Sequence, residues 1–268
     1  MASAPQANLP LFYNDLTPLS SRDHAKYTSR STDSATWLAN QHAIPLTSDE
    51  FPQAARHYPI VFSQGENPVP LALMGMNEGV NAFVDDEGKV TDPVYIPAYV
   101  RRYPYLLAKL EKDTETMSLC FDPSSELVGE HKDGRPLFDE EGKPSEHTQE
   151  IMQFCQRFEE AGQRTSSLID ELKKNDLLMD GDVAIGRNTN DEQPFVYRGF
   201  RIVNREKLAE LRGDLLRTWE KNGLLMLVHA HLMSLDLMRD VFARQSAQGK
   251  GPGANPAPLN GAAATTKG

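Results

Sequence analysis

Near Ser145 the spacing of apolar residues in this chain changes from strand-like to helical, and that switch constrains the fold more than any single motif. From Pro45 to Phe138 the apolar residues come in short runs bounded by Gly, Pro, Asp or Asn: Ile60–Phe62, Val69–Met74, Ala82–Val84, Leu106–Leu110 and Met117–Phe121. Runs of that length between turn formers predict strands. Beyond Ser145, the residues Ile151, Phe154, Cys155, Phe158, Thr165, Leu168, Ile169 and Leu172 fall largely on one stripe at helical spacing. Ser145 suits the N-cap, Glu146 the first turn and Lys173-Lys174 the negative end of the helix dipole, with a bend expected near Gly162.

The remaining segments follow the same logic. Asp180 to Asn204 returns to extended structure, Asn204 caps a short helix from Arg205 to Leu211, and a further helical stretch surrounds Trp219. A closing helix from about Leu224 to Phe242 carries a wide apolar face. Within the first 47 residues, Leu9–Tyr13 predicts an edge strand, Leu16–Leu19 a turn and Asp33–Gln41 a short helix anchored by Trp37 and Leu38. The fold class expected is α+β: a mixed, mainly antiparallel sheet covered by two long helices from the C-terminal half. One domain over residues 1–245 is expected, because the strand region has too few helices of its own to cover an apolar face. Residues 246–268 are Gly, Ala, Pro and Asn with hardly any large side chain. They bury too little to offset chain entropy, which predicts a disordered tail.

Composition narrows the function classes. The net charge of −10 over 268 residues disfavours nonspecific attraction to nucleic acid or anionic membrane. The longest apolar run, Leu224–Val228, is far short of the ~20 residues of a membrane-spanning helix, so no membrane insertion is expected. Met1–Pro10 lacks the basic start and apolar core of a secretory signal, which predicts a cytoplasmic location. Cys120 and Cys155 form no C-x-x-C pair and lie in apolar surroundings, as small buried hydrophobes do; a bridge between them stays open.

Motifs for known chemistry are missing. There is no G-x-S-x-G elbow, P-loop, dinucleotide fingerprint or H-E-x-x-H in the sequence. His229-Ala230-His231 places two imidazoles about 200° apart on a helix, so they cannot share an ion. Three acidic turns, Asp85–Lys89, Asp133-Gly134 and Asp139–Lys143, lack the alternating ligands and closing glutamate of a calcium loop. The first and last nearly repeat each other as Asp-x-Glu-Gly-Lys. Cys120 with a distant His57 or His131 can be drawn as a nucleophile pair, as any long chain permits. The sequence thus assigns no catalytic residue, no metal ligand and no cofactor.

Two proline-flanked stretches remain, Glu50-Phe51-Pro52 with His57–Phe62, and Ile96–Tyr105. In the second, Pro97 and Pro104 bracket a helical turn carrying Tyr99, Arg101, Arg102 and Tyr103. Neighbouring helical positions diverge by about 100°, so one arginine should face the core and the other solvent. Arg101 is expected to take the structural ion pair, with Glu50 or Asp122 as its acceptor. Arg102 and Tyr103 are expected at the surface. Tyr and Arg are favoured anchors of interfaces, which makes Tyr99, Arg101, Arg102, Tyr103, Tyr58 and His57 the candidate binding residues.

Taken together, Glu50-Phe51-Pro52, Tyr58–Phe62, Phe83-Val84-Asp85 with Gly88, Ile96–Pro104, Leu119–Asp122, Leu137–Asp139 and Gly199–Leu208 resemble the bacterial SapC family. The resemblance runs from about Phe12 to Phe242. It implies association with a cell-surface paracrystalline layer, and it carries over no catalytic residues. Two functions are therefore expected as alternatives. One is a non-catalytic, surface-layer-associated or accessory protein with a protein partner; the other is a cytoplasmic enzyme or enzyme-accessory protein acting on peptide or protein substrates.

Overall fold

Every strand pairing in the computed structural model is antiparallel among the described residues, which are 9–110, 117–185 and 195–251. In chain order the strands are β1 (Thr17–Pro18), β2 (Thr28–Ser29), β3 (Ala43–Pro45), β4 (Ile60–Phe62), β5 (Pro70–Leu73), β6 (Tyr105–Lys109), β7 (Met117–Phe121), β8 (Val128–Gly129) and β9 (Arg135–Pro136). They continue with β10 (Leu178–Asp180), β11 (Val183–Ile185), β12 (Phe195–Tyr197) and β13 (Arg201–Val203). The helices are α1 (Phe51–Ala54), α2 (Ala98–Arg102), α3 (Glu146–Lys174), α4 (Arg205–Ala209), α5 (Gly213–Lys221), α6 (Leu224–Ser234) and α7 (Met238–Ala247). The protein is a mixed α+β fold. Its strands form four small sheets where one was expected, because most strands are only two or three residues long.

The described chain divides into two compact units, residues 9–33 with 100–160, and residues 34–99 with 161–251. In the first, three strands pair in the order β1-β7-β6 and three more as β8-β2-β9. Their shared core holds Tyr105, Leu119, Phe121, Val128, Leu137, Phe138 and, from α3, Cys155. The acidic turn at Asp139 leads into α3. Ser145 Oγ accepts from the Thr148 amide at 3.2 Å and donates to the Pro136 carbonyl at 2.7 Å, which caps the helix as its sequence predicts. The helix runs uninterrupted through Gly162 for 29 residues.

In the second unit five strands pair in the order β10-β13-β4-β5-β3, with β11-β12 as a separate pair. The central strands β4 and β5 are buried along their whole length. Phe62, Leu73, Tyr58, Phe51 and Trp219 are among the large side chains fully enclosed. β13 meets β4 at one position only, Arg201 opposite Phe62. Beyond it, His231 of α6 fills the gap: Nδ1 lies 2.8 Å from the Ile60 carbonyl, and Nε2 accepts from the Val203 amide at 3.0 Å. Ser234, one turn on, accepts from the Ile60 amide at 2.9 Å. Two side chains of one helix thus satisfy both backbone groups of a buried strand residue.

Several local expectations are corrected. Leu9–Tyr13 is a turn, closed by the Tyr13 amide on the Pro10 carbonyl, and Tyr13 goes into the core. Leu16–Leu19 contributes β1 in place of a turn, and Asp33–Gln41 yields only a 3-10 turn at Thr36–Leu38. The closing helix is broken by a 3-10 turn at Leu235–Leu237, then resumes as α7 to Ala247. The expected start of the tail at Ser246 therefore falls inside a helix. Gln248 donates to the Ala82 carbonyl at 2.9 Å and Lys250 pairs with Asp86 at 2.8 Å. The rest of the expected tail, residues 252–268, lies outside the described residues.

Candidate functional site

α2 carries the tyrosine–arginine turn, and its first two residues belong to one compact unit while the last three belong to the other. On the second unit's side, a single carboxylate organises the two proline-flanked stretches. Glu50 is 6% exposed. Its Oε2 accepts from the Thr47 amide (2.8 Å) and hydroxyl (2.9 Å), which closes a capping box. Its Oε1 accepts from the Tyr95 hydroxyl (2.9 Å) and from the Ala98 amide (2.6 Å), at the start of α2. Tyr58 adds a second tie by donating to the Tyr95 carbonyl at 2.7 Å. Its ring packs edge-on to Phe83, and burial pushes its hydroxyl pKa up.

Tyr58 and Tyr99 are both buried, and His57 is half-buried beside Tyr58. Tyr58 and Tyr99 offer almost no surface.

On the first unit's side the two arginines diverge as helical geometry requires, but in the opposite sense to the expectation. Arg102 is 8% exposed, and its guanidinium lies 4.2 Å from the centroid of Phe158, with the Tyr13 ring at 6.0 Å. The carboxylate that receives it is Glu159, at 3.3 Å. Burial raises the Glu159 carboxyl pKa and the Arg102 charge opposes that rise. Cys155, one turn earlier on α3, has its thiol pushed up to about 12 by burial. Arg101 is exposed, with its guanidinium 5.4 Å from the centroid of the half-buried Phe154 ring. The sequence had marked Phe154 and Phe158 only as core-stripe positions and had not marked Glu159.

Tyr103 completes the surface. Half-buried, it packs edge-on to Tyr13 at 5.2 Å and to Phe12 at 6.0 Å. Burial raises its hydroxyl pKa, and a hydrogen bond with Ser125 opposes the rise. The peptide between Tyr103 and Pro104 is cis. Asp122, which the sequence offered as an arginine partner, is fully buried. It accepts from the Asn14 amide (2.8 Å) and from the Ser124 amide (2.8 Å) and hydroxyl (2.7 Å). The first unit thus carries an exposed planar cation over the Phe154 ring and a half-buried Tyr103 ring packed on Tyr13 and Phe12, with Arg102 enclosed between Phe158 and Glu159.

Cys120 and Cys155 are both free and buried, and desolvation raises the Cys120 thiol pKa. His231 is inside and His229 exposed, as their spacing dictates. Among the described residues no group of three or more His, Cys, Asp or Glu side chains is placed to hold a metal ion.

A family model described as SapC matches residues 19–241 of the chain. No curated protein and no solved structure matches it.

Proposed function

The chain belongs to the SapC family, and on that footing we propose that it is a non-catalytic accessory protein, associated with a surface layer, that meets a protein partner through Arg101 and Tyr103. The observation that carries this proposal is the division of labour between the two arginines. Arg102 is enclosed against Phe158 and paired with Glu159, while Arg101 lies at the surface over the Phe154 ring. A planar cation already held against an aromatic ring loses little freedom when it meets a carboxylate or carbonyl on another protein.

The enzyme alternative has less support. It needs a cleft lined by His57, Arg101 and Arg102 together with a buried acid or Cys120. Two open depressions lie elsewhere, one lined by Gly65, Asn67, Lys173 and Arg201 and the other by Arg135, Phe138, Ser145 and His147. A buried thiol with a raised pKa is a poor nucleophile. Among the described residues no helix is long and apolar enough to cross a membrane.

The test places a photo-crosslinking residue at Arg157, an exposed position one turn along α3 from Phe154, in the native cell. One discrete protein adduct is expected, and it should vanish when Arg101→Glu is added. An adduct indifferent to Arg101→Glu, or none, would contradict the proposal. A strictly cytoplasmic pool on fractionation would remove the surface-layer part alone.

A further inference from the structure

We propose that the depression in the second unit bounded by β13, the β4–β5 loop and the end of α3 is an oxyanion site, which takes the carboxylate or phosphate group of a larger molecule. Its position follows from the sheet. β13 and β4 share one paired position, Arg201 opposite Phe62. On one side of that pair His231 fills the gap between the strands; on the other, β4 leaves the sheet for the loop at Gly65–Asn67. Gln64 ties this end of β4 to the neighbouring strands by donating to the Phe200 carbonyl (3.2 Å) and to Asp180 Oδ1 (3.3 Å). What remains is an open basin of about 580 Å³ lined by Gly65, Glu66, Asn67, Lys173 and Arg201.

Among the described residues, the two cations that line this basin have no close carboxylate partner. The Lys173 ammonium donates to the Glu66 backbone carbonyl at 2.8 Å, which positions it but does not neutralise it. Arg201 Nε stands 4.0 Å from Asp180, whose side chain is 83% exposed, so that pairing is weak. Lys173 and Arg201 thus stand at one opening, with the Glu66 carboxylate on the same rim and Asp180 beside Arg201. Arg201 supplies a planar fork suited to a two-oxygen anion, Lys173 a point charge and Asn67 an amide donor. The basin opens to solvent, which leaves room for the rest of a larger molecule beyond the anion. The Glu66 carboxylate shares the rim and opposes a bare anion.

The test titrates the full chain with sodium phosphate and, separately, sodium acetate at constant ionic strength. Two-dimensional NMR follows the amides of Gly65–Asn67 and the Arg201 Nε–H. Saturable shifts confined to these groups are expected from at least one anion. They should weaken about fivefold or more in Lys173→Gln and Arg201→Gln, and strengthen in Glu66→Gln. Saturation by phosphate alone identifies a phosphate ligand, and saturation by acetate a carboxylate. Shifts that grow linearly, match those of chloride or ignore the substitutions overturn the proposal. Lys173, exposed at a helix end, keeps the test decisive if Arg201→Gln lowers the melting temperature.

Discussion

Arg101 and Arg102 are the same residue type at adjacent positions, and their surroundings give them opposite roles. Helical geometry made their divergence legible in the sequence. It could not show which one turns inward, because the deciding partner, Glu159, lies 57 residues away on another helix. Truncating Arg102 removes a stacked cation and leaves Glu159 without its counter-charge. Arg102→Ala should cost on the order of 3 kcal/mol in a denaturant titration, and Arg102→Lys should recover only part, since an ammonium lacks the planar face. His231 gives a pH prediction. Burial lowers its pKa from 6.5 to about 4, so the unfolded chain takes up the proton first. The contribution is therefore complete above pH 6.5 and lost as pH falls towards 4, by roughly 3 kcal/mol. His231→Leu should lower stability at neutral pH, by stranding the Ile60 carbonyl and Val203 amide. It should also flatten the acid dependence between those two values. An unchanged pH profile in this variant would show that other groups carry the dependence.

Among the elements, those with local signals were legible. α3 announced itself through a stripe and a capping serine, α4 through Asn204, whose Oδ1 accepts from the Lys207 amide at 3.0 Å, and β4 to β7 through apolar runs between turn formers. The break after α6 was not legible, because Leu224 to Leu237 contains no glycine or proline. Its physical cause lies in Ser234, whose hydroxyl donates to the His231 carbonyl at 2.6 Å while accepting from β4. That tertiary bond is invisible in a periodicity. The two Asp-x-Glu-Gly-Lys turns were recognised as a near repeat, and they share one geometry. Asp85 Oδ1 accepts from Glu87 and Lys89 amides, and Asp139 Oδ1 from Glu141 and Lys143 amides. Both glycines have φ near +80°, which disfavours any side chain. They differ in space: a Cβ on Gly88 would lie 2.4 Å from the Thr36 backbone nitrogen, whereas on Gly142 its nearest neighbour is 3.8 Å away. Gly142→Ala should cost about 1 kcal/mol from backbone strain alone, and Gly88→Ala clearly more. Equal melting temperatures for the two variants would refute the distinction.

For the whole molecule, the sequence identified the α+β class but predicted one sheet, since pairing partners cannot be read from runs of three residues. We propose that the chain unfolds as one domain: α2 and α3 each contribute residues to both compact units, so it should melt in one transition. Limited proteolysis yielding two stable fragments that part near residues 141–150 would argue otherwise. Beyond the boundary expected at residue 245, Gln248 and Lys250 look like tail composition, yet they bond to Ala82 and Asp86, as Gln245 before them bonds to Met76. Ending the chain after Gln245 should lower the melting temperature by a few degrees, while ending it after Gly251 keeps those bonds. The central claim, a surface presented by one arginine and secured by the other, is tested most directly by measuring melting temperature and partner capture together for Arg101→Ala and Arg102→Ala. Arg101→Ala should melt like the wild type and lose the partner, while Arg102→Ala should melt lower. Full capture by a normally folded Arg101→Ala protein would contradict the account.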